Sequence, residues 1–105
     1  MPNIFILKYE ISEKAFEDIE NIWFYTAKTW SVEQADRYYN VIFDEIDYLA
    51  EYPFSGRDYG HIRNDYRCSI VKSHLIFYRL KKNEELVEII RILHQSMDIE
   101  ERLKD

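Results

Sequence analysis

Residues 73 to 96, SHLIFYRLKKNEELVEIIRILHQS, constrain the fold most, because they contain two β-rich apolar runs joined by a charged turn. This pattern predicts a β-hairpin. We expect its strands at residues 74 to 81 and 86 to 94. A further run, YRCSIV at residues 66 to 71, ends two residues before the hairpin and predicts another antiparallel strand.

The faces of the hairpin follow from its register. If residues 82 to 85 form the turn, Arg79 lies opposite Glu88, and strict alternation divides the side chains between two faces. We expect one face to carry Leu75, Phe77, Arg79, Glu88, Ile90, Ile92 and His94, and the other to carry His74, Ile76, Tyr78, Leu80, Val87, Ile89, Arg91 and Leu93. Arg91 and His94 then point to opposite faces. Both faces are apolar. A helical layer can cover one, and the other is covered by the C-terminal helix or by a partner chain, or is left as an exposed patch that would bind a partner.

Two segments before the strands have the apolar spacing of amphipathic helices. The first follows Ser12, and the second begins at Ser31, which with Gln34 matches a capping box. Their short connection predicts an antiparallel helical hairpin, which Pro53 and Gly56 end. The predicted apolar stripes are Phe16, Ile19, Trp23, Ala27 and Trp30 in the first helix, and Ala35, Tyr38, Tyr39, Ile42, Ile46 and Leu49 in the second.

An opening strand at residues 3 to 9 and a short C-terminal helix, capped by Ser96 or Asp98, complete the predicted order β-α-α-β-β-β. The fold class is α+β, with the helical hairpin packed on a small, mostly antiparallel sheet. The chain of 105 residues suits one domain, spanning residues 1–105.

Charge and cysteine content limit the classes of function. Fourteen basic and twenty acidic residues give a net charge of −6, so we expect no direct sequence-specific binding of nucleic acid. The single Cys68 cannot form an internal disulfide, and the sequence has no secretory signal and no membrane-spanning run. We therefore expect a cytoplasmic protein. His61, His74 and His94 lack metal-like spacing, so we expect neither a metal nor another cofactor.

Two residues near the end of the last predicted strand have side chains that could form an ion pair or take part in acid–base chemistry. Arg91 lies in an apolar run, and a buried guanidinium needs a carboxylate, so we predict a structural ion pair with Asp18, Glu45 or Asp98. His94 could act as an acid or base, as an imidazole can in principle, or could serve only as a structural hydrogen-bonding group.

Five stretches, in this order, resemble one family: DIENIWFYTAKTW, SVEQADRYY, YPFSGR, SHLIFYRL and VEIIRILHQSMD. From Lys8 to Leu103 the chain resembles the RelE/ParE superfamily of toxins from type II toxin–antitoxin modules, and the ParE branch more closely. The resemblance implies a helical hairpin on a small sheet and a cognate, ParD-like antitoxin as partner. RelE-like members cut messenger RNA in the ribosome, whereas ParE-like members inhibit DNA gyrase by binding.

The nuclease pattern of the superfamily matches poorly. Leu75 stands where the nucleases have an arginine, and Gln95 stands at the aromatic position beside the histidine. An isobutyl group cannot replace a guanidinium that holds phosphate. We therefore expect a gyrase-binding toxin with no catalytic residue. If the chain is a nuclease, its candidate residues are His94, Arg79 and Arg67.

A third possibility is a degenerate, non-toxic member that only binds antitoxin. For each of these possibilities we expect the antitoxin to cover one apolar face of the β-hairpin, which carries Leu75, Phe77, Ile90 and Ile92.

Overall fold

The structure, a computed structural model, describes residues 9–104. In chain order the elements are β1 (Tyr9–Ile11), α1 (Glu13–Thr29), α2 (Val32–Glu51), β2 (Arg57–Asp58), β3 (Arg67–Val71), β4 (His74–Lys81), β5 (Leu86–His94) and α3 (Ile99–Arg102). Residues 3 to 8 of the predicted opening strand lie outside the described residues. The predicted α+β class is confirmed.

The five strands form one sheet in the order β1-β5-β4-β3-β2. β1 runs parallel to β5, with Tyr9 aligned with Val87, and the other neighbouring pairs are antiparallel. The sheet is therefore mostly antiparallel, as predicted. β2 was not predicted, because its two residues, which pair with the start of β3, are too few to show an alternation of apolar and polar side chains.

Side-chain caps explain where the helical hairpin begins and turns. The Ser12 hydroxyl oxygen accepts from the Ala15 backbone N–H at 3.0 Å and also donates to the Ile90 carbonyl at 2.8 Å. The Ser31 hydroxyl accepts from the Gln34 N–H at 3.0 Å. Such caps satisfy backbone donors that a helix start leaves free. The first cap also fixes the start of α1 to β5.

The helical hairpin covers one face of the sheet and forms the main hydrophobic core with it. Phe16, Trp30 and Tyr39, which the apolar spacing assigned to this core, are instead exposed. The buried members of the core are Ala15, Ile19, Ile42, Ile46, Leu49, Val71, Ile76, Tyr78, Val87, Ile89 and Ile92.

A β-bulge interrupts the ladder between β4 and β5. Tyr78 pairs with Ile89, but the preceding Phe77 pairs with Arg91, so Ile90 is an extra residue on β5. One extra residue reverses the side-chain alternation beyond it. The regular register predicted from the sequence is therefore wrong for the second half of β5.

The bulge exchanges two neighbouring residues between the faces. Ile92 lies opposite Ile76 and packs in the core under the helical hairpin, whereas Leu93 lies opposite Leu75 and packs on the other face. The sequence-based assignment had placed both the other way round.

The second face of the sheet is covered by the chain itself. Asp98 caps α3 by accepting from the Glu101 N–H at 3.2 Å, and Leu103, which follows α3, is buried against this face. The segment from Tyr59 to Tyr66 packs there as well. The core on this face contains Tyr66, Cys68, Phe77, Leu93 and Leu103, with Tyr59, Ile62, Leu75, Ile90 and Ile99 packed around it.

Candidate functional site

An open cavity of about 820 Å³ lies beside the helical hairpin, and we call it the groove. Its walls come from α1, α2, the turn between β3 and β4, the end of β5 and the start of the C-terminal segment. Clefts that bind ligands usually measure about 300 to 1,000 Å³. The lining residues are Glu17, Asp18, Asn21, Ile22, Tyr25, Thr26, Trp30, Gln34, Arg37, Tyr38, Val41, Lys72, Ser73, His74, Arg91, Ile92, His94, Met97 and Arg102.

Large apolar side chains line the groove while remaining in contact with solvent. Tyr25, in the second half of α1, is 67% exposed, and Trp30, the residue that caps the end of α1, is 70% exposed. Val41 of α2 and Met97 are each 38% exposed. Scattered apolar side chains are normal on a protein surface, but a group gathered in one cleft marks an interaction site.

Basic side chains also line the groove. Arg37 comes from α2, Lys72 from the turn between β3 and β4, and Arg102 from the end of α3. Two carboxylates, those of Glu17 and Asp18, line it as well. The helical hairpin as a whole, residues 13 to 51, has ten acidic and three basic residues and a net charge of −7. The groove therefore differs in charge from the rest of the hairpin.

Arg91 forms the ion pair expected of a guanidinium in this strand, and its partner is Asp18 of α1. The Arg91 Nε lies 2.8 Å from one carboxylate oxygen of Asp18, and Nη2 lies 3.0 Å from the other. The Ile92 backbone N–H donates to the same carboxylate at 2.9 Å. The pair thus joins the helical hairpin to the end of β5 at the wall of the groove.

Two histidines face each other across the β4–β5 ladder. The rings of His74 and His94 are perpendicular, with centroids 5.2 Å apart. The Tyr38 hydroxyl lies 2.6 Å from His74 Nδ1, and the Ser96 N–H donates to His94 Nδ1 at 3.0 Å. Burial, with a smaller contribution from His94, lowers the pKa of His74 to about 4, so His74 is neutral at pH 7.

Arg91 and His94 line the same groove, although the regular register predicted that they point to opposite faces. The ladder itself still places them on opposite faces, because the bulge precedes both residues and Arg91 lies opposite Phe77 whereas His94 lies opposite His74. The Arg91 guanidinium lines the groove where it pairs with Asp18 of α1. Among residues 9–104 there is no group of three or more His, Cys, Asp or Glu side chains suited to a metal ion. Nor does that range contain a helix long and apolar enough to cross a membrane.

A family model described as "ParE toxin of type II toxin-antitoxin system, parDE" matches residues 9–99. The chain belongs to the ParE toxin family. It is therefore a ParE-type toxin of a type II toxin–antitoxin system.

Individual relatives agree with this family. "Toxin ParE1" of Caulobacter vibrioides is 40% identical over 90 residues, which cover 86% of this chain and 91% of that protein. "Toxin ParE1" of Mycobacterium tuberculosis is 36% identical over 96 residues, covering 91% and 97%. A solved chain from the chromosomal ParDE TA system of P. aeruginosa shares the fold, with a TM-score of 0.72 at 17% identity, covering 84% of this chain and 95% of that one.

The structure separates the residues that a nuclease version of this ParE toxin would need. His94 lines the groove, but Arg79 pairs with Glu88 at 2.8 Å, five residues along β4 from the position opposite His94. At about 3.3 Å per strand residue this is about 16 Å. Arg67 donates to the Gly56 carbonyl at 2.7 Å, in the loop between α2 and β2. The three candidates do not form one site.

The four residues predicted to meet the antitoxin do not share an open face in this ParE toxin. Phe77 and Ile92 are buried in the two different cores, and Leu75 and Ile90 are partly buried beside α3. The prediction that these four residues share one open face was wrong for two reasons. It assumed a regular ladder between β4 and β5, and it assumed that the C-terminal segment leaves the second face of the sheet open. Contact of an antitoxin with Leu75 and Ile90 stays a prediction.

Sequence reasoning missed Tyr25, Val41 and Met97 as exposed members of a site, and it assigned Trp30 to the core. The only sequence signal for them is that Tyr25 and Val41 lie off the predicted apolar stripes while being large and apolar.

Proposed function

We propose that this ParE-type toxin acts in the cytoplasm by binding DNA gyrase, without catalytic chemistry of its own, and that a cognate ParD-like antitoxin neutralises it. The observation that carries the choice of gyrase over messenger RNA is the separation of His94, Arg79 and Arg67. Cleavage of a phosphodiester requires phosphate-binding cations and an acid or base around one reacting group. A separation of about 16 Å between two of the three is too large for that.

The surroundings of His94 support the same choice. Arg91 is the guanidinium of β5 that lines the groove with it, and Asp18 engages that guanidinium through two hydrogen bonds. A carboxylate at this distance offsets the positive charge that would otherwise attract phosphate. The net charge of −6 also opposes approach to the ribosome, whose surface is rich in RNA.

The test is a supercoiling assay with purified gyrase and folded toxin, together with a measurement of trapped cleavage complexes. We expect loss of supercoiling or accumulation of cleaved DNA, and both should disappear when the antitoxin is added first. Normal supercoiling with no trapped complex would contradict the proposal.

His94→Gln is the matched variant that separates the two activities. A toxin that binds gyrase should keep its inhibition in His94→Gln, whereas a ribosome-dependent nuclease should lose messenger RNA cleavage. Transcripts are therefore compared before and after induction of each form. Normal growth during expression of folded wild-type protein would instead indicate the non-toxic member that only binds antitoxin.

A further inference from the structure

We propose that the loop between α2 and β2, residues 52 to 56, is the surface by which the toxin contacts gyrase, at a site on the gyrase protein that offers an apolar pocket rimmed by carboxylates. The inference rests on the proposed binding of gyrase and names the surface and the chemistry of that contact. The loop has the sequence YPFSG, and none of its residues lines the groove.

The fold leaves aromatic side chains of the loop in contact with solvent. Phe54 is 64% exposed and Tyr52 is 51% exposed. Tyr48, one turn earlier in α2, is also exposed, and its ring centroid lies 4.9 Å from that of Tyr52. Aromatic side chains are enriched among the residues that contribute most to protein interfaces, because they bury large areas at small cost in conformational entropy. The three rings therefore suit a protein partner.

Two side chains from the sheet fix the backbone of the loop. The hydroxyl of the buried Tyr78 donates to the Pro53 carbonyl and accepts from the Gly56 N–H, each at 2.9 Å. The Arg67 Nη2 donates to the carbonyls of Phe54 and Gly56, at 3.1 and 2.7 Å. A loop held at four backbone atoms loses little freedom on binding, which favours affinity.

Gly56 is the residue at which the loop approaches the sheet most closely. A Cβ at this position would lie 2.9 Å from the Cys68 carbonyl oxygen and would clash with the Tyr78 hydroxyl. Only glycine therefore allows these contacts. The fold thus holds an exposed aromatic loop in one conformation from beneath, as rigid scaffolds do for binding loops.

The charge of the partner follows from the distribution of basic residues. Residues 52 to 82, which include the loop, β2, β3 and β4, have seven basic and two acidic residues and a net charge of +5, whereas the helical hairpin has −7. Arg57, directly after the loop, is exposed, and the Arg67 guanidinium lies over the Phe54 ring, 5.4 Å from its centroid. Complementary charge favours carboxylates around the pocket that receives the ring and sets the orientation of the complex.

A protein surface fits these features better than DNA does. Affinity for DNA depends on several Lys or Arg contacts to phosphates. The Arg67 guanidinium is already engaged by two carbonyls of the loop, which leaves Arg57 as the exposed cation directly beside it. Arginine next to exposed aromatic rings is the composition typical of protein interfaces.

The experiment measures the toxin concentration that inhibits half of the supercoiling by purified gyrase. Phe54→Ala removes the exposed ring of the loop, and Phe24→Ala removes a ring of α1 that is 65% exposed and lies outside the loop and the groove. Arg57→Glu reverses the charge beside the loop, and Lys28→Glu in the last turn of α1 is its control. We expect the half-inhibiting concentration to rise about 30-fold for Phe54→Ala and about 10-fold for Arg57→Glu, with each control within about threefold of wild type.

Two further variants separate the ring from its support. Phe54→Tyr keeps an aromatic ring and should inhibit within about threefold of wild type. Tyr78→Phe leaves the exposed surface unchanged but removes the hydroxyl that holds the loop, and we expect the half-inhibiting concentration to rise about fivefold. Circular dichroism establishes that each variant is folded. If Phe54→Ala fails to fold, Tyr52→Ala takes its place with the same expected loss.

The possible outcomes separate the inference from the proposed function. If wild-type toxin does not inhibit gyrase, the proposed target is contradicted, and the inference with it. If wild type inhibits and the folded Phe54→Ala and Arg57→Glu variants inhibit equally well, the loop is not the contact surface, and gyrase remains the target. If a DNA duplex without gyrase binds the toxin and Arg57→Glu abolishes that binding, this surface contacts DNA and the inference is overturned.

Discussion

Asp18→Ala tests whether one carboxylate holds the helical hairpin to the end of β5. The Asp18 side chain accepts hydrogen bonds from Nε and Nη2 of Arg91 and from the backbone N–H of Ile92, at 2.8, 3.0 and 2.9 Å. The substitution removes all three acceptor contacts and takes a negative charge away from the guanidinium. We expect the free energy of unfolding to fall by about 3 kcal/mol.

The magnitude follows from the burial of the pair. Removing one partner of a buried ion pair costs about 3 to 5 kcal/mol, whereas an exposed pair contributes about 0.2 to 1 kcal/mol. The side chains of Arg91 and Asp18 are only 15% and 13% exposed, which places this pair near the lower end of the buried range. Those of Arg79 and Glu88 are 45% and 21% exposed, so Glu88→Ala is the surface control.

Urea denaturation of Asp18→Ala, Glu88→Ala and wild type measures the loss in the free energy of unfolding that each substitution causes. Asp18→Asn keeps an acceptor for the Ile92 N–H, and we expect it to lose about half as much stability as Asp18→Ala. In the double variant Asp18→Ala, Arg91→Met, the loss should be smaller than the sum of the single losses by at least about 1 kcal/mol. The reasoning is refuted if Asp18→Ala costs no more than Glu88→Ala.

Three further predictions concern buried polar groups. The buried Tyr78 hydroxyl donates to the Pro53 carbonyl and accepts from the Gly56 N–H, each at 2.9 Å, so Tyr78→Phe should cost about 2 kcal/mol in urea denaturation; unchanged stability would show that these bonds contribute little. Burial raises the pKa of the Cys68 thiol to about 11, so a thiol reagent at pH 7.5 should label the native protein far more slowly than the unfolded protein, and equal rates would contradict its burial. Because the pKa of His74 is lowered to about 4, the unfolded state takes up the proton first as pH falls from about 6.5 to about 4, and wild type should lose stability over that window. Over that pH window we expect wild type to lose about 1 to 2 kcal/mol more free energy of unfolding than His74→Gln does. This is less than the full pKa shift implies, because the ring is partly solvated, and parallel pH profiles of the two proteins would contradict the prediction.

Local signals made the order of elements predictable. Ser12 and Ser31 cap their helices as their positions before the apolar repeats indicated, and Asp98 does so for α3. Such signals act over three or four residues and do not depend on distant parts of the chain. The β-hairpin was equally visible, because its strands and its charged turn are adjacent in the sequence.

The bulge was not predictable from the same sequence. In LVEIIRILH, either register places Ile or Leu on both faces, so the hydrophobic pattern does not select one. In the observed register, two residues at the start of the helical hairpin bond to the backbone of β5. The Ser12 hydroxyl donates to the Ile90 carbonyl, and the Asp18 carboxylate accepts from the Ile92 N–H. These partners lie more than seventy residues away in sequence.

The groove was hidden for a related reason. It gathers Trp30, Lys72 and Met97 from a helix end, a turn and a loop, none of which has a periodic signal. Trp30 continues the apolar spacing of α1, but it is the residue at which that helix ends, and it is 70% exposed there. Spacing alone cannot tell where the surface beneath a helix stops.

The pairing of the first described strand with the last has a consequence for synthesis on the ribosome. β1 bonds only to β5 within the sheet, so residues 9 to 11 have no strand neighbour until residues 87 to 89 have emerged. The core under the helical hairpin is also incomplete until β5 is made, because Val87, Ile89 and Ile92 are three of its eleven buried residues. Contacts so distant in sequence form late and slowly. A nascent chain that stops before β5 therefore lacks the groove residues that β5 and the segment after it supply, Arg91, Ile92, His94, Met97 and Arg102.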